Sequence, residues 1–199
     1  MTRSTALLVG ALRAPQGARS NDKISPTEPP DHGIGRSRGG LTSKVHLVTD
    51  GRGLPLSVIL TPGQAGDNPQ LLPALDAIRV PRQGPGRPRS RPDEVLADKA
   101  YSHPSTRAAM RSRGIRFTSP ERSDQLARRA ARGSAGGRPP RFDAEAYKGR
   151  NVVERCFNRL KQWRGIATRY DKTARNYRGG LLLACLILWT RDQDPRDRP

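Results

Sequence analysis

The chain has 199 residues and a net charge of +19, with 37 basic residues (six lysines and 31 arginines) against 18 acidic ones and a sequence pI near 11.4. Hydrophobic residues make up 34% and aromatics 5%, beside 20 glycines and 18 prolines, which leaves one domain with a modest core and loose segments. Two cysteines, Cys156 and Cys185, exclude a disulfide scaffold, no apolar run reaches the roughly 18–20 residues of a bilayer span, and so large an arginine excess calls for a polyanionic partner, nucleic acid first.

In chain order, residues 5–12 (TALLVGAL) are apolar but end at Arg13, too soon for a secretory signal. They read as a stray tail, or as the remnant of an element whose partner is missing, and the chain as cytoplasmic. Residues 13–43 are rich in Gly, Pro, Ser, Asp and Arg without a period and read as loop or disorder. Residues 44–49 (KVHLVT) alternate, with Val45 and Leu47 on one face, and 54–61 (LPLSVILT) form a second strand. Between them Asp50-Gly51-Arg52-Gly53 is a hairpin turn. Asp67 or Asn68 caps a helix that starts at Pro69 and carries Leu71, Leu72, Leu75 and Ile78. Residues 80–92 are a loop of proline and arginine.

Residues 94–98 (EVLAD) are a short strand that ends in a carboxylate. A helix from Ser102 or His103 to about Arg113, then a strand over 114–118, complete a strand–helix–strand unit, the signature of a parallel pair. Residues 119–142 are basic and small and read as a mobile insertion. One long helix is expected over 144–164 and another over 174–191, before a polar tail at 192–199. The order predicts an α/β fold with a mixed sheet flanked by helices.

The residues that carry chemistry lie on the long helix and at the strand end. Tyr147, Arg150, Glu154 and Lys161 are spaced by three, four and seven, so at about 100° per residue they form one stripe roughly 60° wide. Val152, Val153, Cys156, Phe157, Leu160 and Trp163 fall on the opposite side. Most charged stripes are solvated faces of amphipathic helices. Here the one carboxylate, Glu154, stands among Arg150, Arg155, Arg159 and Lys161, as a metal ligand beside a phosphate would. Asp98 ends a buried strand, where α/β sheets place ligand-contacting groups, although an Asp there also serves as a cap or turn residue. The other candidates are weaker. Gly33–Gly40 (GIGRSRGG) lacks the Lys-Ser/Thr of a phosphate loop, His32, His46 and His103 have no metal-ligand spacing with the cysteines, and Cys156, Cys185, Trp163 and Trp189 read as packing residues.

Together, Ala97-Asp98-Lys99-Ala100-Tyr101 and the Tyr-x2-Arg-x3-Glu-x6-Lys pattern resemble the DDE transposases of bacterial insertion sequences, in particular the subgroup with the Y-R-E-K signature. Residues 39–47 (GGLTSKVHL), 63–69 (GQAGDNP) and 151–164 (NVVERCFNRLKQWR) share the likeness, which covers about residues 31–191. The resemblance implies an RNase H-like domain over 44–191, with the 119–142 insertion inside it, and three carboxylates holding two Mg2+ (or Mn2+) ions for attack on a DNA phosphodiester. Asp98 would be the second Asp and Glu154 the Glu of that triad. Tyr147, Arg150, Lys161, Lys99 and Arg155 would contact DNA, at transposon ends and target, in a protein that works as a homodimer away from membranes.

The triad's first Asp has no counterpart. Upstream of Lys44 the acidic residues are Asp22, Glu28 and Asp31, none at the end of an apolar strand; the nearest echo of the family pattern is Arg3-Ser4-Thr5. The sequence is therefore expected to be an N-terminally truncated copy that lacks the first strand of the sheet, with 1–43 degenerate and catalytic activity in question. The alternative is a non-catalytic nucleic-acid-binding remnant. A basic structural RNA-binding protein would fit the charge, but it leaves Asp98 and the ordered Glu154 stripe without a reason.

Overall fold

The computed structural model describes residues 6–15 and 31–193. Its strands are β1 (Ala6–Pro15), β2 (Gly35–Ser37), β3 (Gly40–Thr49), β4 (Pro55–Pro62), β5 (Glu94–Ala97) and β6 (Arg116–Thr118). Its helices are α1 (Leu71–Asp76), α2 (Pro104–Ser112), α3 (Ser123–Ala131), α4 (Ala144–Lys148), α5 (Asn151–Lys161), α6 (Arg164–Ala167) and α7 (Ala174–Gln193). The strands make one mixed sheet in which β3 joins β1, β2 and β4 antiparallel, and β1, β5 and β6 run parallel.

Period-2 alternation along β3 sends its residues to two different cores. Val45 and Leu47, with Val58 and Leu96, lie under α5 and α7 against Val153, Phe157, Leu160 and Leu181. Val48, with Val95 and Ala97, lies on the other face against Leu71, Leu75 and Met110. The α5 face expected to be apolar is the buried one: Val153, Cys156, Phe157 and Leu160 are all enclosed, each large side chain contributing about 1.5–3 kcal/mol of burial. Both cysteines are buried and free, with burial pushing their thiols up to about 11 and about 12, as packing residues should show. Trp189 donates from Nε1 to the Pro55 carbonyl at 2.7 Å and closes α7 onto β4. Among the described residues no helix is long and apolar enough to cross a membrane.

The hairpin forms where Asp50-Gly51 predicts it, by a mechanism of its own. The Asp50 carboxylate accepts from the Arg52 and Leu54 amides, both at 2.9 Å, and the left-handed residue is Gly53, at φ 88°. The strand–helix–strand unit is also present as a parallel pair, Glu94 beside Arg116 and Leu96 beside Thr118.

Four expectations are corrected. The first concerns the segment 1–43 and the strand expected to be missing: β1 lies between β3 and β5, in the middle of the sheet, and β2 lies in the same segment. The run ALLVGALRAP has apolar residues at both parities and a glycine at its centre, so nothing local announces a strand; pairing on both edges makes it one. Arg3-Ser4-Thr5 lies outside the described residues. Second, 119–142 contains α3. That helix buries no residue and so carries no core-facing period; the Glu121–Arg129 ion pair and a hydrogen-bonded Ser102–Gln125 contact hold it. Third, the helix expected over 144–164 is three helices. At Gly149 and Arg150 the chain tightens into bonds from Gly149 N to the Ala146 carbonyl and from Arg150 N to the Tyr147 carbonyl (3.1 and 2.9 Å), and Trp163 adopts an extended backbone before α6. Fourth, Asp67 makes no side-chain cap at the turn before α1; its carboxylate takes the buried Lys44 ammonium at 2.8 Å instead.

One glycine of β1 sets how closely α5 approaches the sheet. A Cβ on Gly10 would stand 2.9 Å from the Phe157 ring and 3.3 Å from a Val153 methyl. Gly10→Ala is expected to destabilise the protein by about 1–3 kcal/mol through overpacking, read as a lower urea midpoint with an unchanged denaturant slope.

Candidate active site

Asp98 directly follows β5 and caps the short 3-10 helix Lys99–Tyr101, its Oδ1 accepting from the Ala100 amide at 2.6 Å. Its carbonyl accepts from Ser119 Oγ at 2.8 Å, which joins it to the chain leaving β6. By strand alternation Asp98 shares the face of Leu96, the face that α5 covers. The cap reading of Asp98 is met, and the cap fixes where the carboxylate stands.

Arg150 is the N-cap residue of α5 and Glu154 lies in its first turn. Arg150 Nη2 donates to Glu154 Oε1 at 2.5 Å. The guanidinium also lies 5.6 Å from the centroid of the Tyr147 ring, and that ring packs 5.3 Å from Phe142 at 56°. Burial weighs against the Arg150 charge, yet Tyr147, Glu154 and Asp98 together hold the guanidinium above its usual range. Glu154 pairs with this cation directly from the helix start, and the Asp98 charge adds a smaller pull from the strand end.

The predicted stripe holds in part. Tyr147, Arg150 and Glu154 stay in contact across the break between α4 and α5. Lys161 is exposed two turns further on, about 10 Å along the axis. Lys99 and Arg155 are exposed. Arg159, counted in the basic field around Glu154, is spent on structure: its Nη2 donates to the Gly53 carbonyl at 2.7 Å and ties α5 to the hairpin.

A third carboxylate does not join them among the described residues. β1 carries none. Gly10 lies one residue beyond the Val9–Ala97 register pair, as Asp98 does on the neighbouring strand, so the position beside Asp98 is a glycine roofed by Phe157 and Val153. No group of three or more His, Cys, Asp or Glu that could hold a metal occurs among the described residues; Asp22 and Glu28 lie outside them.

Sequence reasoning assigned the basic 119–142 segment to the periphery and passed over Arg107 and Arg111. The structure brings these arginines of α2 against those of α3 in one cleft. Pairs at i and i+4, Arg107 with Arg111 and Arg128 with Arg132, were the available signal.

The chain matches the family described as the transposase DDE domain over residues 16–189. It is 35% identical over 151 residues to a protein of Brucella ovis (strain ATCC 25840 / 63/290 / NCTC 10512) named as a transposase for insertion sequence element IS6501, a match spanning 76% of this chain and 100% of that relative. It is 38% identical over 155 residues to one of Burkholderia cepacia named as a transposase for insertion sequence element IS402, spanning 77% of this chain and 65% of that relative's length.

Proposed function

We propose, since this chain belongs to the transposase DDE domain family, that it is an insertion-sequence transposase acting on DNA phosphodiesters at Asp98 and Glu154. The observation that carries this reading is the pairing of Arg150 with Glu154 at the start of α5, within the field of the Asp98 charge at the end of β5. The sheet order β4-β3-β1-β5-β6, antiparallel in its first half and parallel in its second, supports an RNase H-like frame for it.

Hard carboxylate oxygens suit Mg2+ or Mn2+. Arg150 already pairs with Glu154 in the field of the Asp98 charge, so the charge and donor type of these two side chains suit one such ion, which they would hold together with a phosphate oxygen. When bound, the ion would neutralise phosphate charge and make an attacking oxygen more nucleophilic. The protein's own groups do the rest. The Arg150–Glu154 pair, 21% and 53% exposed, is an i,i+4 pair worth about 0.3–0.5 kcal/mol, so Arg150 gives it up cheaply for a phosphate. The Tyr147 ring steadies the guanidinium as it does so. Lys99, Arg155 and Lys161 add salt-dependent contacts to the backbone of transposon-end and target DNA. Two copies of the chain, one per transposon end, would work in the cytoplasm.

A second reading, DNA binding without cleavage, is favoured by the carboxylate-free β1 and by the glycine at the position beside Asp98. One assay separates the two. Plasmid carrying the element's ends is incubated with the protein and Mg2+ or Mn2+, and nicks and joined ends are counted. The first reading expects metal-dependent nicking that Asp98→Asn or Glu154→Gln lowers by about 100-fold or more. The second expects salt-sensitive binding and no nicking by the wild type. Nicking that survives both substitutions would remove Asp98 and Glu154 from the chemistry.

A further inference from the structure

Beside the Asp98 turn lies a cleft of about 460 Å³ with an unusual lining. Arg107 and Arg111 reach it from α2, Arg128, Arg129 and Arg132 from the end of α3, and Arg138 from the loop that follows. Among the described residues Glu121 is the only carboxylate in the lining, and Arg129 takes both of its oxygens. Arg128 is paired with Asp124 at 2.7 Å. Arg107 donates to the Ser119 carbonyl at 2.7 Å with its guanidinium 5.5 Å from the Phe117 ring centroid. Arg111, Arg132 and Arg138 are exposed, and their side chains have no ion pair or hydrogen bond among the described residues.

Like charges crowded into a concavity repel one another unless an anion enters. At Arg107 burial pulls the guanidinium below its usual range, Glu121 opposes this, and the neighbouring Arg129 and Arg111 charges add to it. A concave wall of guanidinia focuses the field, and their planar forks match phosphate oxygens in pairs. Among the described residues no aromatic side chain lines the cleft, so none of them stacks on a base there. Its wall is joined to the reaction centre. Ser102, in the lining, ends the 3-10 helix that Asp98 caps, and Gln125 of α3 accepts from its hydroxyl at 3.0 Å and donates to its carbonyl at 3.2 Å.

We propose that this arginine cleft is a phosphate-chain binding site, separate from Asp98 and Glu154, in which Arg111, Arg132 and Arg138 grip the backbone of the duplex DNA leading to that pair. It rests on the DNA-directed reading above for the identity of the chain of phosphates. It reads charge and spacing, with no base preference, and fixes where the duplex lies relative to Asp98.

The test compares the full-length wild type with two triple variants. R111Q/R132Q/R138Q empties the cleft of its unpaired charges; R38Q/R175Q/R178Q removes three exposed arginines elsewhere. Circular dichroism checks that both fold. The first probe is a fluorescein-labelled duplex of arbitrary sequence, followed by anisotropy over a salt series. The cleft variant should bind at least about tenfold more weakly, with the slope of log K against log salt reduced by about 2 to 3, and the control variant should lose far less. Equal losses in the two variants would overturn the proposal, since bulk charge would then account for binding. The second probe, inorganic tripolyphosphate followed by calorimetry, judges the cleft independently of DNA. Binding by wild type and control but not by the cleft variant upholds the site even if the duplex is not bound, in which case only the DNA-directed reading falls. Equal tripolyphosphate binding by all three proteins, or none by the wild type, overturns the site.

Discussion

Arg169→Leu is expected to destabilise the protein by about 3–5 kcal/mol, out of a total stability that for single domains is about 5–15 kcal/mol. Arg169 is fully buried. Its guanidinium donates to the Ser43 hydroxyl and to the backbone carbonyls of His32, Gly33, Asp171 and Lys172, with its carbon 5.3 Å from the Tyr177 ring centroid. One side chain thus joins the turn before β2, the strand β3 and the loop between α6 and α7. Leucine fills much of the volume but takes this donor from the His32, Asp171 and Lys172 carbonyls, while Gly33 keeps the Ser43 hydroxyl at 2.6 Å; each buried acceptor left without a donor costs about 1–3 kcal/mol. Arg169→Lys, with three donors on one ammonium, should recover part of the loss. Thermal unfolding followed by circular dichroism checks both. For a chain of this size the leucine variant should melt on the order of 10 °C lower, and an unshifted melting temperature would mean that the acceptors find other partners.

Arg169 also marks where sequence reading stops. A lone arginine in a loop of an arginine-rich chain has no local signal of burial; only the meeting of three distant segments gives it its acceptors. The same distinction runs through the fold. β3 and β4 were legible because an alternating strand with one turn writes its pairing into consecutive residues. β1 was not, because its place depends on β3 and β5, more than 25 and 80 residues away in the numbering. α3 was missed because it faces no apolar core, and its Ala and Arg residues look alike in a helix and in a basic loop. The long-helix expectation failed at Gly149, where the apolar period continues through a backbone that does not stay α-helical.

At the candidate site, spacing was enough to find Asp98 and Glu154, since each keeps a local pattern around it. It could not find what surrounds them. That Arg150 pairs with Glu154 in the field of the Asp98 charge, and that the corresponding place on β1 is Gly10 under Phe157, depend on how distant segments pack. The two observations pull in different directions. A cation in the field of both carboxylates supports a place where a divalent ion and a phosphate would sit, whereas a glycine roofed by a phenyl ring leaves no room for a third ligand from β1. Loss of nicking in the Asp98 and Glu154 variants, or its absence in the wild type, decides which of the two dominates.

Acid should weaken the fold between about pH 6.5 and about pH 4 through His46. This imidazole is 1% exposed in the middle of β3, its Nε2 within 2.8 Å of Thr61 Oγ1. Burial pushes its pKa down to about 4; Asp67 opposes the shift and Lys44 adds to it. The folded protein therefore keeps His46 neutral where the unfolded chain, with an ordinary pKa of about 6.5, binds a proton. A depressed folded-state pKa makes stability fall as pH falls, with the full contribution present above about 6.5 and lost once pH is below about 4. The shift corresponds to about 3 kcal/mol. The neighbourhood explains why the proton is refused. The Lys44 ammonium, held by Asp67 and the Ala65 carbonyl, occupies the same buried face two residues away, and Asp67 is already engaged there. The Tyr101 hydroxyl, raised by burial and then by Asp67 and Asp98, stays protonated throughout this range and adds nothing to the slope. Urea unfolding at a series of pH values should show stability rising from pH 4 to 6.5 in the wild type. His46→Gln keeps a polar end for Thr61 but does not titrate, so its curve should be flatter by the same amount. If the two proteins keep parallel curves, the acid sensitivity arises from the carboxylates and not from His46.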